Sequence, residues 1–394
     1  MSNHQASEQM IGYLYQVRYA LSLLLASDNL DSQISIEKFD DVAFSEDDIP
    51  VECIQLKHHI NNKGNLSDAS VDMWRTLKVW LDIIEDKKDI LDGTIFTIIT
   101  TATAPKDSAA SLLKPEKDER KPLEAYKKLK FVSLNSKNEK AQVYYDKFKT
   151  TEEDVLKKLV DKIYIIDRAS NIIDVEKDIL KQIRYCCIPK YQNRVCERLE
   201  GWWFKQAIIA LCSDQPVFVN QNQVRSFIVS ISQEYADDNL PIDDFESGDS
   251  VGIDFSKDEK IFYEQLKLIS LSSRNMQIAL WDYYRAFKQR ASWVRDDLLY
   301  VNELEHYEQR LVDEWNHAFA EMEENLSEKD EVTEKEKAIE GRNLFFNMGK
   351  GNIRIRPKCE EAFIMRGSYH MLANQMKIGW HIDFLERLRH LLDI

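Results

Sequence analysis

The stretch from Ile34 to His59, ISIEKFDDVAFSEDDIPVECIQLKHH, constrains this chain more than any other. Two apolar-alternating runs, Ile34 to Phe44 and Val51 to Lys57, flank the polar, proline-containing SEDDIP, which is the pattern of a β-hairpin. Side chains alternate across a strand, so Val42 and Phe44 share one face while Asp41 and Ala43 take the other. In the second run Cys53, Gln55 and Lys57 fall on one face, opposite Ile54 and Leu56. Glu37 lies four residues before Asp41 and shares its face if the strand is regular. The hairpin thus sets an acid, an amide and an amine side by side, although a half-buried hairpin with solvated charges would read the same way.

The flanking sequence supplies a frame. Residues 5–26 carry Ile11, Leu14, Tyr15, Leu21 and Leu25 at helical spacing, with Gly12 and Gln16 one turn apart. After the hairpin, Val71 to Glu85 repeats that spacing through Trp74, Leu77, Trp80, Leu81 and Ile84, with Ser67 or Ser70 as its cap and both tryptophans as core residues. The run TIFTIITTATAP is β-branched and stops at Pro105, so it reads as a buried strand. Hairpin, helix and strand together predict an α/β sandwich around a mixed sheet.

The spacing of Asp41-Val42 before Ile54-Gln55-Leu56-Lys57 resembles the core of the PD-(D/E)XK nuclease superfamily, in the variant where Gln replaces the acid of the (D/E)-x-K element. More narrowly, GYLYQ at 12–16, IEKFDDV at 36–42 and QLKHH at 55–59 resemble the restriction-endonuclease-like domains of bacterial ABC-three-component defence systems. The nuclease domain of CD-NTase-associated anti-phage endonucleases is similar too. The likeness covers residues 10 to about 105. It implies an α/β N-terminal restriction-endonuclease-like domain, a mixed sheet flanked by helices, and a DNA endonuclease dependent on Mg²⁺ or Mn²⁺.

Hydrolysis of a phosphodiester needs an activated water and neutralisation of charge at the transition state, and a hard cation prefers oxygen donors. On that chemistry Asp41 is the principal ligand, with Asp40 competing for the role, Gln55 and Glu37 as further ligands, and Lys57 facing the attacking water or the developing charge. His58 or His59 could contact phosphate or move a proton. The resembling family places a polar residue of the first helix beside the site, here Gln16. With Gln55 in place of an acid, one ligand charge is lost, and a catalytically inactive nuclease-fold scaffold that binds a partner ATPase or DNA is the alternative.

A net charge of −15 argues against a constitutive DNA binder, because phosphate binding relies on Lys and Arg. Locally the balance reverses: residues 111–150 hold eleven Lys or Arg against six acids, and 341–358 hold five basic residues and no acid. Lys127, Lys128, Lys130, Arg342, Arg354 and Arg356 are therefore the expected DNA contacts, while the ten acids of 231–260 suggest a partner-facing surface or a linker. No phosphate-binding loop of the G-x-x-x-x-G-K-[ST] type occurs, so the resemblance puts an ATPase or sensor on a separate partner subunit. A homo-oligomer stays open. No apolar run reaches the roughly 20 residues that span a membrane, no secretory leader pattern opens the chain, and six cysteines show no C-x-x-C spacing, so the expectation is a cytoplasmic protein with reduced thiols.

Three regions are expected: a nuclease-like domain over 1–150, a mainly helical middle region over 151–250 ending in the acidic linker, and a helical partner-binding domain over 251–394. The last, with its tryptophan pair at 202–203 upstream and Gly379-Trp380-His381, resembles the C-terminal modules of ABC-three-component proteins.

Overall fold

The computed structural model describes residues 3–46, 49–58, 64–116, 120–213, 215, 217–243, 245, 260–329 and 331–391. His59 and most of the acidic 244–259 stretch lie outside them. The chain forms two compact units, Met1–Ser232 and Gln233–Ile394.

The first unit opens with helix α1 (Asn3–Ala26), and strands β1 (Gln33–Ile36), β2 (Val42–Glu46) and β3 (Ile49–Lys57) follow as an antiparallel meander. Helices α2 (Val71–Asp86) and α3 (Ile90–Gly93) then carry the chain over the sheet to β4 (Ile95–Thr100), which runs parallel to β3. Helices α4 (Pro122–Asn135), α5 (Gln142–Thr150) and α6 (Glu153–Lys162) make a second crossover to β5 (Ile163–Ile166), parallel to β4. After α7 (Ile172–Gln182) and α8 (Gln192–Cys212), the short β6 (Val219–Asn220) closes the far edge against β1 and leads into α9 (Gln221–Glu234). The sheet is mixed, in the order β5-β4-β3-β2-β1-β6. A boundary at residue 150 falls between α5 and α6, inside this unit.

The sheet's central strands are buried on both faces, which is why β3 and β4 read as nearly continuous apolar runs. On one face Cys53, Phe96, Ile98, Ile163 and Ile165 pack under Trp74, Trp80, Tyr145 and Phe148 from α2 and α5. Trp74 meets Tyr145 edge to face at 4.7 Å, a favoured geometry for aromatic quadrupoles. Helices α1, α7 and α8 belong to the other layer, where the Trp203 indole N–H donates to the Val17 carbonyl at 2.6 Å.

Two expectations are corrected here. The run Ile34–Phe44 is not one strand: the chain leaves β1 at Glu37, whose φ of 55° is left-handed, and re-enters the sheet as β2, with Ile36 paired to Val42. The hairpin is therefore a three-stranded meander, and Glu37 reaches Asp41 across a turn rather than along a strand. Ser70 is the N-cap residue of α2, but its side chain makes no capping hydrogen bond.

The second unit is helical: α10 (Lys260–Leu268), α11 (Ser273–Arg295), α12 (Glu303–Ser327), α13 (Glu334–Gly349), α14 (Ala362–Asn374) and α15 (Phe384–Leu388). Its axis of assembly is the pair α11–α14, which approach closely because Gly367 has no Cβ. The Ile353–Pro357 segment, whose alternation of Ile and Arg would also suit a strand, joins no sheet ladder. No described helix is long and apolar enough to cross a membrane.

Candidate active site

The site is assembled where the β1–β2 turn meets the end of β3. Asp41 is the last residue before β2, and the ladder pairs the next residue, Val42, with Ile54, which sets Asp41 beside Gln55. Its carboxylate is largely buried at 9 % exposure, and Oδ2 accepts the Leu56 N–H at 2.7 Å. That bond fixes the carboxylate across the two strands. The Glu37 N–H donates to the Asp41 carbonyl at 3.0 Å, so the turn is closed by the backbone of the same two acids.

Glu37 itself is exposed over much of its surface, yet its carboxyl is raised above the usual range, first by partial burial and then by the charge of Asp41, with Lys57 opposing. Two carboxyls and one ammonium therefore feel one another at the rim of the sheet. Lys57 is half-buried at the last position of β3, in register with Thr100 of β4.

Asp40 has a different fate. One of its oxygens accepts the indole N–H of Trp80 and the other the Asp41 N–H at 3.0 Å. Burial pushes its carboxyl up to about 7, with Asp41 adding to the rise, while the Trp80 bond works against it. Asp40 anchors the turn to α2. Of the two competing acids, Asp41 is the one whose carboxylate is not held by α2.

Gln55 is 4 % exposed, and its Oε1 accepts the Thr76 hydroxyl at 3.4 Å, leaving a second lone pair on that oxygen. Thr76 and Trp80, one turn apart on the buried face of α2, are thus the helix's two polar contacts with the site. Sequence reasoning placed Trp80 in the core without seeing this role. The available signal was the Thr76–Trp80 spacing on an otherwise apolar face.

Alternation sends His58 away from Lys57. Its ring lies 4.6 Å from that of Tyr15 on α1, and the Tyr15 hydroxyl donates to the Ser170 carbonyl at 3.0 Å. Gln16, half-buried, follows Tyr15 on that same helix, in the layer opposite α2. Asp41, Gln55, Lys57 and Glu37 are brought together; His58 is turned to the other layer. Among the described residues, no three His, Cys, Asp or Glu side chains converge on one cation position.

The expected DNA contacts divide. Lys127 is exposed and Lys128 half-buried on α4, whereas Lys130 pairs with Glu153 at 2.9 Å. Arg342 donates to the Ile269 carbonyl at 2.7 Å, and Arg354 to the Pro357 carbonyl and the Glu360 carboxylate. Arg356 is a correction: at 4 % exposure it grips Glu303 with two nitrogens and donates to the carbonyls of Asn239 and Leu298. Four of its five N–H donors are thus engaged within the fold, and its burial leaves it poorly placed to meet a phosphate.

Residues 262–388, from within α10 to the end of α15, match the family model described as C-terminal domain 7 of the ABC-three component (ABC-3C) systems. The match covers only residues within the helical unit, and it supports reading the chain as a component of an ABC-three-component anti-phage system. A multi-component system suggests partner subunits. Among solved structures, the chain is similar to a Moraxella osloensis Cap4 SAVED/CARF-domain containing receptor at 13 % identity, over 66 % of this chain and 60 % of that one, with a TM-score of 0.36. A likeness at that score carries no argument. No curated protein matches the chain.

Proposed function

We propose that the first unit is a metal-dependent DNA endonuclease, and that the chain is the effector subunit of its defence system, restrained until partner subunits assemble with it. The observation that carries this reading is the meeting of Asp41, Gln55 and Lys57 on paired strands, with the Glu37 carboxyl beside them. The donor set suits a cation that takes one or two carboxylates and keeps its waters, as Mg²⁺ does, and does not suit a cage of protein ligands alone. Mg²⁺ or Mn²⁺ would supply charge neutralisation and a more acidic water. Asp41 and Glu37 would hold it, with Gln55 Oε1 as a neutral third donor. The Glu37 carboxyl is raised first by partial burial and then by the charge of Asp41, and a bound cation would offset both. Lys57, on the same strand face as Gln55, would neutralise charge developing on the phosphate oxygens.

Plasmid DNA incubated with Mg²⁺, the chain and its partner subunits tests the reading. Cleavage by Lys57→Ala is expected to fall by about 100-fold or more, the scale of losing one preorganised charge contact at a transition state. Equal cleavage by both proteins would overturn it. A second reading, an inactive scaffold, is favoured by one observation: the Gln55 amide is already bonded to Thr76. Unchanged phage protection after joint replacement of Asp41, Gln55 and Lys57 by Ala would decide for the scaffold.

A further inference from the structure

The helical unit holds a cavity of about 220 Å³, open to solvent on one side, that the reading above does not use. Helices α11, α13 and α14 and the segment around Trp380 wall it, and its lining is rich in aromatic rings. The His370 imidazole stacks on Phe262 at 4.6 Å and on Phe345 at 5.7 Å, while Trp380 meets Phe345 edge to face at 5.2 Å. Burial pushes His370 down to about 3, so its ring is neutral.

Three lining side chains carry a buried polar atom with no hydrogen-bond partner in the protein: Tyr369 Oη, His370 Nδ1 and Trp380 Nε1. Buried polar groups in folded proteins are nearly always paired. Elsewhere in this unit Trp293 donates to the Pro241 carbonyl at 2.7 Å, Trp315 to Gly379 at 2.9 Å, and Gln265 to Ala373 at 2.8 Å, while the Nε atoms of Arg285 and Arg290 also go without a partner. The three lining atoms are closed off from the cavity by their neighbours, so a guest meets the ring faces and edges of these side chains and not their polar atoms.

Charge narrows the guest further. Asp282, 2 % exposed, is held by both Arg285 and Arg366, so its negative charge is more than matched. Lys350, also on the lining, is exposed and forms no ion pair among the described residues. The volume lies below the range of about 300–1,000 Å³ typical for drug-sized ligands, which limits the guest to one or two fused rings.

We infer that this cavity binds a small planar aromatic anion: a ring held among Phe345, Phe346 and Trp380, and an acidic substituent at Lys350 and Arg366. In a multi-component system such a site makes the helical unit the receiver of a small-molecule signal.

Calorimetric titration of the full chain tests this with two probes, quinoline-2-carboxylate and 2-naphthoate, which present a carboxylate on a fused aromatic ring. At least one is expected to bind 1:1, about tenfold more tightly than its neutral counterpart, quinoline or naphthalene, as a charge contact implies. Lys350→Glu should weaken that binding about tenfold with an unchanged melting temperature, since the residue is exposed. Ala279→Trp, which fills the cavity, should abolish it; if that variant fails to fold, Lys350→Glu carries the test. No binding of either acid, equal binding of the neutral rings or of cyclohexanecarboxylate, or indifference to Lys350→Glu would overturn the inference. No DNA or nuclease step enters the assay, so its outcome is independent of the reading of the first unit.

Discussion

Asp40 and Asp41 are adjacent in sequence and opposite in consequence. The Asp40 carboxyl, raised to about 7 in the fold, sits above its unfolded value near 3.9, so the native state holds its proton more tightly than the unfolded chain does. Below about pH 4 both states are protonated and this contribution to stability is intact; it is lost progressively as the unfolded chain ionises, and the loss is complete once pH passes about 7. Asp40→Asn is never charged and escapes it. The melting temperature of the variant relative to wild type, followed in EDTA, should rise between pH 5 and pH 8; a difference that is flat with pH would show that Asp40 is not held protonated. The partner of Asp40 can be tested separately. Trp80→Phe keeps the aromatic volume but removes the buried N–H donor, which is expected to cost about 1–3 kcal/mol in urea unfolding. Gln55→Glu asks about the site itself. A fourth acid beside Glu37, Asp40 and Asp41 should lower the melting temperature without metal, and the rise on adding Mg²⁺ should exceed that of wild type, because binding to the native state alone stabilises by mass action. A smaller rise than wild type would remove Gln55 from the ligand set.

At the scale of elements, much was legible and one break was not. The mixed sheet flanked by helices and the helical C-terminal region follow from periodicity, and α1 and α2 begin and end close to the expected residues, whereas β4 ends at Thr100, short of Pro105. The division of Ile34–Phe44 into two strands was hidden because EKFDD contains no Gly, Pro or Asn to announce a turn, and Ile34, Ile36 and Val42 fit the alternation of one strand. The turn is imposed from a distance: Val42 pairs with both Ile36 and Ile54, and Asp40 is fastened to Trp80 forty residues away. The strand parity of Asp41 and Lys57 survived, since it depends only on local alternation; the engagement of Gln55 by Thr76 and of Arg356 by Glu303 did not show, since it depends on which helix lands where. In the helical unit the close crossing of α11 and α14 gives a direct test. A Cβ at residue 367 would lie 2.2 Å from the Asp282 carbonyl oxygen and 2.4 Å from the Ala286 Cβ, so backbone must move. Gly367→Ala is expected to destabilise the protein by about 1–3 kcal/mol, as overpacking does, read as a lower urea midpoint; an unchanged midpoint would mean the two helices are further apart than described.

For the whole molecule, the proposed nuclease reading raises the question of how a chain of net charge −15 would meet DNA. The basic stretch of 111–150 is spent in part on its own acids: Lys147 pairs with Asp82 and Glu85, Lys149 with Asp146 and Lys130 with Glu153. Such exposed pairs add little stability, typically under about 1 kcal/mol each, but they lower the positive potential that the sequence alone promised. Arg354 and Arg356 are likewise occupied. Affinity for DNA falls with salt with a slope of about −0.9 per phosphate neutralised. The chain alone should therefore bind a duplex oligonucleotide with a shallow slope, corresponding to about two or three phosphates, and the slope should steepen when partner subunits are added. If the DNA path crosses α4, Lys127→Ala with Lys128→Ala lowers the slope of the assembled complex by about two, with sequence preference unchanged. Fluorescence anisotropy across a salt series reads both quantities. A steep slope for the chain alone would mean that it carries its own DNA path, and the dependence on partners would have to come from some source other than charge.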